Sequence, residues 1–564
     1  MVKNTNNYKT AFGVLLVFLA YAILTVTIFK HRITQITTHY GLPDVDTDGT
    51  FWYLWNSSQN QINKTPFNPN VYLTYPYGFE TSYIPFESLI YDIIISILKI
   101  IGPTIQNIIF VTNISTILSY PIAGLCMYLL SYYITKRELP SFVAGLIFSF
   151  SYYHVLMGRG SLSLNHTFFI PLYYLFILRY LENKKVGDAI ITGLIIGLAF
   201  KDNAYWAFFS VLISIPPSLY FILQKQKRIL IKEALVLLFS ILAFLIPLNF
   251  SFIKKQLYNF DRNLRKTAGR EVNLSAELVP TILLLKPSSV LYSAGTKSDL
   301  YLGYVPIFLG FMYITSRLHK SNPRLKGFYY FSLLGFVVSL ALQTKVATNA
   351  WLNNIYFQLF GAFRAVSRIN VLSSMFLAVM ASINLTTIIE RDKRVPSYVA
   401  MMLISVLVIM DGLNRDRSWR KMGSIIGLNE HYSFIRDDSR IESLAVYPMH
   451  LSNGDTGFPR NYQLLAQIVH QKKVVGGLSA FQKGAREYHE KIKNPLSTLA
   501  INTLENAGVD AIMIYYERTG NRVTYFLKRN EKLTYAGRFV NKYDESISYD
   551  LFYINKNYFS ANTN

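Results

Sequence analysis

A single cysteine, Cys126, stands among 564 residues, so no disulfide framework can brace any part of the chain. Charge is scarce as well: 16% of residues are charged, where soluble domains carry about a quarter. Acids are the scarcer sign, with 33 Asp+Glu against 56 Lys+Arg and a formal net charge of +23. The sequence contains no Walker loop, G-x-G-x-x-G fingerprint, H-E-x-x-H, C-x-x-C or G-x-S-x-G. A nucleotide-driven pump and a zinc hydrolase therefore find no support. What remains is apolar. Hydrophobic residues make up 51% of the chain, mean hydropathy is +0.24, and 41 Tyr and 39 Phe suit a protein with much surface at a lipid–water boundary. Disorder and a simple cytosolic enzyme are excluded.

The distribution of the basic residues separates membrane topology from nucleic-acid binding. Apolar stretches near the length needed to cross a bilayer fall at 11–29, 106–134, 140–153, 167–181, 187–201, 204–224, 231–253, 301–317, 327–343, 369–389 and 396–412. A further stretch, 84–102, either crosses or lies in the interface. If it does not cross and the N-terminus is cytoplasmic, the short inner turns collect 17 bases against five acids: Lys3, Lys9, Lys136, Arg137, Lys184, Lys185, Lys225, Lys227, Arg228, Lys232, Arg317, Lys320, Arg324, Lys326, Arg391, Lys393 and Arg394. If it crosses, every later turn inverts and the bases face outward, against the positive-inside rule. The expectation is a mainly α, polytopic transmembrane bundle of about 11 spans over residues 1–412, with outer-loop interfacial helices within 30–105. It would be an integral, multi-pass plasma-membrane protein with a cytoplasmic N-terminus. Bases spread over such turns do not form a nucleic-acid surface. The long outer segments 30–105, 254–300, 344–368 and the tail make the outer face the working one.

From about residue 413 the pattern shortens. Apolar runs at 441–447, 473–478, 509–516, 523–527 and 547–554 read as strands, and 461–470 and 495–507 as helices, the second stopped by Gly508. Residues 413–564 are expected to form a small extracytoplasmic α/β domain. No nucleophile–base pair is visible in it, and Gly476-Gly477 reads as a tight turn. An accessory or recognition role follows.

Chemistry is concentrated after the first apolar run, at Asp44-Val45-Asp46-Thr47-Asp48, followed by Trp52 and Trp55. The two tryptophans are three apart and share a helical face, suited to a short helix lying among lipid headgroups with Asp48 as its N-cap. A carboxylate held there can act as general base toward a hydroxyl, or join a neighbour in holding a divalent cation. The alternative is a simple cap beside solvated acids. Glu80 and Glu87, flanking the aromatic and Pro-rich lead into 84–102, sit at the mouth of the same site if that helix is interfacial; turn chemistry alone also accounts for the prolines and glycine. A third set is basic and on the wrong side for topology: Arg159, Lys201, Arg364 and Arg368, with His166 and Asp202 alongside. Ionisable groups at membrane depth pair or mark a ligand path, and a phosphate is their natural partner. Snorkelling to headgroups is the competing explanation.

Together these motifs resemble the GT-C superfamily of membrane glycosyltransferases, in a prokaryotic branch with an appended extracytoplasmic domain. The resemblance rests on Asp46 and Asp48 with Trp52/Trp55, Pro76 and Pro85, Ser151-Tyr152-Tyr153 with Gly158, Asn165-His166 before Pro171-Leu172, and Phe363-Arg364 with Arg368. Tyr447-Pro448, Gln467, His470, Val475-Gly476-Gly477 and Gly508-Val509 match in the tail. It implies a donor sugar on a polyprenyl phosphate, transfer on the outer side to a glycan, lipid or protein acceptor, and membrane lipid as partner. Asp48 or Asp46 would be the general base or metal ligand. Arg159, Lys201, Arg364 and Arg368 would hold the departing phosphate; Trp52, Trp55, Glu80, Glu87, His166 and Asp202 would line the acceptor side. The acids admit Mg or Mn without demanding it, and no other cofactor is implied. The tail lacks a Trp-Trp-Asp motif, which disfavours an oligosaccharyltransferase. A transporter or flippase of lipid-linked saccharide is the alternative from another class, though no internal repeat supports it. A silent scaffold keeping the fold is the third reading.

Overall fold

The computed structural model describes residues 3–41, 45–65, 72–73, 75–78, 88–224, 230–250, 301–315, 323–343, 366–391, 397–413, 423–447, 460–475, 483–515, 523–542 and 548–555. Glu80, Glu87, Arg364, the Gly476-Gly477 turn and the loop 254–300 lie outside the described residues. The chain forms two compact units. One comprises Met1–Thr34, Glu87–Ile90 and Ile114–Lys421; the other comprises Gln35–Phe86, Tyr91–Asn113 and Met422–Asn564.

Helices run in chain order as α1 (Lys3–Ile28), α2 (Lys30–Ile33), α3 (Val45–Asn63), α4 (Leu89–Ile101), α5 (Ile105–Thr135), α6 (Glu138–Ser149), α7 (Tyr152–Met157) and α8 (Leu162–Asn165). They continue as α9 (Phe169–Asn183), α10 (Val186–Asp202), α11 (Ala204–Gln224), α12 (Leu230–Leu248), α13 (Tyr304–Thr315), α14 (Pro323–Gln343), α15 (Asn370–Arg391) and α16 (Ser397–Leu413). A helix stands at each apolar run expected to span. Among the described residues three are long and apolar enough to cross a membrane, Ile105–Thr135, Pro323–Leu342 and Asn370–Glu390. Shorter apolar helices occupy Phe12–Ile28, Glu138–Ser149, Ala204–Tyr220 and Tyr398–Leu413. The ambiguous segment forms α4, 13 residues, which at 1.5 Å per residue is about 20 Å long against a hydrocarbon core of about 30 Å.

The first unit packs its helices around buried aromatics such as Tyr174, whose ring meets Phe376 edge-on at 5.2 Å. Small residues set the closest approach. A Cβ on Gly193 would stand 2.1 Å from the Ser240 carbonyl oxygen, and one on Gly197 3.0 Å from that of Phe244. Spaced by four, the two glycines let α10 and α12 touch backbone to backbone. Several bases of the expected inner turns pair with the few acids there: Arg324 with Glu182 at 3.1 Å, Lys184 with Glu233 at 2.6 Å and Arg137 with Glu390 at 2.9 Å.

The second unit holds two sheets. A short antiparallel pair joins β1 (His39–Tyr40) to β2 (Gly423–Ser424). The main sheet uses β3 (Ser443–Tyr447), β4 (Lys473–Val475), β5 (Ala511–Tyr515), β6 (Leu533–Val540) and β7 (Ser548–Ile554) in the order β4-β3-β5-β7-β6. Pairing is parallel between β3 and both β4 and β5, and antiparallel between β7 and both β5 and β6. Strands β3 and β5 are buried throughout, as apolar runs without alternation predict. Four helices accompany them: α17 (Leu428–Asp437), α18 (Arg460–His470), α19 (Lys483–Ile492) and α20 (Thr498–Asn506). Gly508, just past α20, takes φ +76°, the left-handed conformation that ends a helix cheaply only with glycine.

One expected strand is wrong. Residues 523–527 are helical. Their β-branched and aromatic composition suggests a strand, but burial at Thr524 and Leu527 with Tyr525 and Phe526 exposed follows a helical period. The edge strand is β6 instead. Its Arg538 pairs with Asp550 across the sheet, both guanidinium bonds measuring 2.9 Å. The fully buried Asp550 also accepts from Thr524 at 2.5 Å and Tyr535 at 3.1 Å. Asp550→Ala strands these donors, and Arg538 reaches water only in part. The loss expected is about 3 kcal/mol, the lower end for a broken buried pair, read as faster proteolysis of the tail in the full-length protein.

Part of the segment between α3 and α4 is woven into this unit. Leu73 bridges Val474 in parallel, Val474 N–H donates to the Tyr72 carbonyl at 2.8 Å and Tyr75 N–H to the Val474 carbonyl at 3.1 Å. Tyr72, Leu73 and Tyr75 thereby pair with the edge strand β4.

Candidate functional site

Asp48 lies in the first turn of α3, which begins at Val45, so it does not cap the helix as the spacing suggests. The carboxylate is wholly buried. The positive end of the helix dipole favours a negative charge in that turn. Asp46 falls in the same first turn. Trp52 and Trp55 also depart from expectation. Both are buried, at 1% and 0% exposure, rather than presented to headgroups. The Trp52 indole N–H donates to Gln467 Oε1 at 2.7 Å, and Trp55 meets Tyr72 edge-on at 5.0 Å. An indole taken out of water needs a partner for its N–H, and Gln467 supplies it while its own amide donates to the Tyr72 carbonyl at 2.5 Å and the Lys472 carbonyl at 3.0 Å. The conspicuous tryptophans thus tie the helix bearing Asp48 to α18.

The other residues gather in the first unit, where α5 carries Ser115, Thr116 and Ser119; 115 and 119, four apart, share one face. Asn165 donates to the Thr116 carbonyl at 3.1 Å and to Ser119 Oγ at 2.5 Å. His154 is buried and stacked on Tyr120 at 4.4 Å. Its Nε2 lies 2.8 Å from the Asn165 carbonyl oxygen; a carbonyl only accepts, so Nε2 carries the proton. Gly158 is required beside this cluster, since a Cβ there would stand 2.1 Å from the Tyr120 hydroxyl. Its carbonyl accepts from the buried Arg32 at 2.6 Å, which fixes the backbone that leads into buried Arg159.

His166 and Asp202 meet, as the sequence could not show. His166 Nδ1 is 3.4 Å from Asp202 Oδ2, and both side chains are almost fully buried. His166 Nε2 is 3.1 Å from Ser115 Oγ. Asp202 Oδ1 accepts from the Ser88 hydroxyl at 2.6 Å and the Ile90 N–H at 3.3 Å. Asp202 ends α10, with Lys201 beside it in the last turn, and Asn203 caps α11 by accepting from Tyr205 N–H at 3.1 Å. The Arg368 guanidinium lies 4.1 Å from the centroid of the Tyr205 ring, a cation–π contact that sets it over the first turn of α11. Sequence reasoning missed Ser115, Ser88 and Arg32. The signal for Ser115 was present, in its spacing to Ser119 along α5.

Among the described residues no three of His, Cys, Asp and Glu gather as a metal site. No protein-family model and no curated relative matches the sequence. Solved structures do match. The mycobacterial arabinofuranosyltransferase AftD aligns with TM-score 0.54 at 10% identity over 96% of this chain and 40% of its own. The ArnT structure from Cupriavidus metallidurans bound to undecaprenyl phosphate aligns with TM-score 0.52 at 10% identity, over 96% of this chain and 97% of its own. The oligosaccharyltransferase of Archaeoglobus fulgidus aligns with TM-score 0.50 at 12% identity over 89% and 69%. The fold is GT-C-like. The chain spans well under half the length of the arabinofuranosyltransferase, and at these identities the GT-C likeness concerns architecture alone.

Proposed function

We propose that the chain is a membrane glycosyltransferase, taking a sugar from a polyprenyl-phosphate donor and passing it to an acceptor hydroxyl on the extracytoplasmic side. The observation that carries this reading is Asp48, a carboxylate wholly buried in the first turn of α3, in a chain with GT-C-like architecture. Asp48 takes the acceptor proton as general base. Asp46 and Asp48 would be the protein ligands of a Mg or Mn ion, if one entered with substrate. Arg159, Lys201 and Arg368, with Arg364, stabilise the negative charge that builds on the departing phosphate. Residues 1–412 are the membrane-embedded domain in an integral plasma-membrane protein with its N-terminus inside, and 413–564 the extracytoplasmic portion.

The test is reconstitution into vesicles with a panel of radiolabelled polyprenyl-phosphate sugars and glycan, lipid and protein acceptors. Transfer of label to an acceptor is the expected result. Donor translocated across the bilayer without transfer to any acceptor would replace the reading with a flippase.

A further inference from the structure

Ser115, His166 and Asp202 form a chain of contacts that the assignment of His166 and Asp202 as mere lining residues does not explain. Asp202 is fully buried and its Oδ1 is filled by the Ser88 hydroxyl and the Ile90 N–H. Oδ2 takes no hydrogen bond, and a buried acidic group calls for a partner. Its ionic partner is His166, at 3.4 Å. Nδ1 faces Asp202 Oδ2, and Nε2 lies within hydrogen-bond distance of Ser115 Oγ, at 3.1 Å. Ser115 is half-buried where His166 and Asp202 are enclosed. The series runs from a closed carboxylate to an open hydroxyl.

We infer that this series is a proton relay that delivers a proton through Ser115 to the phosphate leaving group of the donor. The inference rests on the glycosyl-transfer reading and adds to it the general acid. In the step, the bond between sugar C1 and the phosphate oxygen breaks and its electron pair stays on the phosphate. The acceptor oxygen bonds to C1 and gives its proton to the general base. The Ser115 hydroxyl proton passes to a phosphate oxygen while the His166 Nε2 proton passes to Ser115 Oγ, and His166 regains a proton from water. Lys201, next to Asp202 in the last turn of α10, and Arg368, over Tyr205, suit the same anionic group.

A Ser-His-Asp series also suggests a nucleophilic serine. The local backbone argues against it. Ser115 lies inside α5, where N–H groups are engaged along the helix, so the residue beside it offers no donors to an oxyanion.

The experiment combines nuclear magnetic resonance with kinetics on the full-length protein. With His166→Gln used for assignment, the ring Nδ1–H of His166 should give a downfield resonance that Asp202→Asn removes; a resonance absent from the wild type, or indifferent to Asp202→Asn, overturns the relay whether or not transfer is found. In the transfer assay His166→Gln should lower kcat by about 10²- to 10⁴-fold with donor KM unchanged, and should abolish the solvent deuterium effect on kcat. Asp202→Asn, a positioning change, should lower kcat in the same direction and Ser115→Ala should lower it as well. Unchanged kcat and an unchanged deuterium effect in His166→Gln would leave the cluster purely structural and overturn the inference. Covalent labelling of Ser115 by a fluorophosphonate would overturn it in favour of a nucleophile. A resonance behaving as expected beside a wild type that transfers no sugar would locate the failure in the glycosyl-transfer reading.

Discussion

Asp48→Asn is expected to cut transfer by about 10²-fold or more while the protein stays folded. Asparagine keeps the size and an accepting oxygen of the aspartate but cannot take a proton, so the loss falls on the chemical step and shows in kcat rather than in KM. The structural cost is modest: the replaced side chain sits in the first turn of α3, where the helix dipole favours a carboxylate by up to about 2 kcal/mol away from the surface. Thermal unfolding in detergent should therefore move little. Reconstituted wild type and variant, compared over donor and acceptor concentrations, decide the matter. A variant retaining wild-type kcat would remove Asp48 from the chemistry and pass the base role to another group.

Acid should dismantle the second unit. His431 and His470 are buried, and burial disfavours their charged forms, pushing His431 down to about 4 and His470 down to about 3, the latter helped by Lys472. His489 is lowered for the same chief reason. The folded state wants these rings neutral, whereas unfolded chains protonate them near pH 6.5. Stability is therefore complete above about 6.5 and drains as the pH falls toward the folded values. The carboxylates add in the same direction. Asp550 is lowered, the bonds from Arg538 and Thr524 reversing what burial alone would do. Asp438 is held well below the usual range by the Arg440 guanidinium. Both lose their stabilising charge as acid reaches them. At about 1.4 kcal/mol per unit the two histidines alone withdraw on the order of 7 kcal/mol by pH 3.5, comparable to the stability of a small domain. Near-ultraviolet dichroism and proteolysis of the full-length protein should show this unit unfolding between about pH 6.5 and 3.5. His470→Asn, which keeps an acceptor for the Lys472 N–H now bonded to Nδ1 at 3.0 Å, should move the midpoint to lower pH. Native dichroism persisting to pH 3 would refute the account.

The helices of the first unit were readable because each is a long apolar run, and such runs have one common solution in a membrane. The inner strands β3 and β5 were readable for a related reason, being short apolar runs bounded by turn residues. Failures lie where an identity is compatible with two environments. Trp52 and Trp55 suit a headgroup interface as well as a core, and what decided between them was Gln467, far away in sequence. Residues 523–527 have strand composition, yet the contact of Thr524 with Asp550 fixes a helix. His166 and Asp202 were visible as candidates because an ionisable residue is rare in such a chain. Their pairing was not visible, and Ser115 was hidden by the ordinariness of serine on an apolar helix.

The pairing of Tyr72, Leu73 and Tyr75 with Val474 also has a consequence in time. The Tyr72 carbonyl and the Gln467 amide that closes on it are separated by 395 residues. At about 5–20 residues per second the ribosome needs roughly 20–80 s to make that stretch. Throughout, the outer segment waits with Trp52 and Trp55 uncovered and the edge it will join not yet made. Long loop closures of this kind slow folding and expose apolar surface to aggregation. The nascent chain therefore depends on something to shield 35–86 until its last quarter emerges, and truncations in the tail should send the N-terminal outer segment to the cell's proteases.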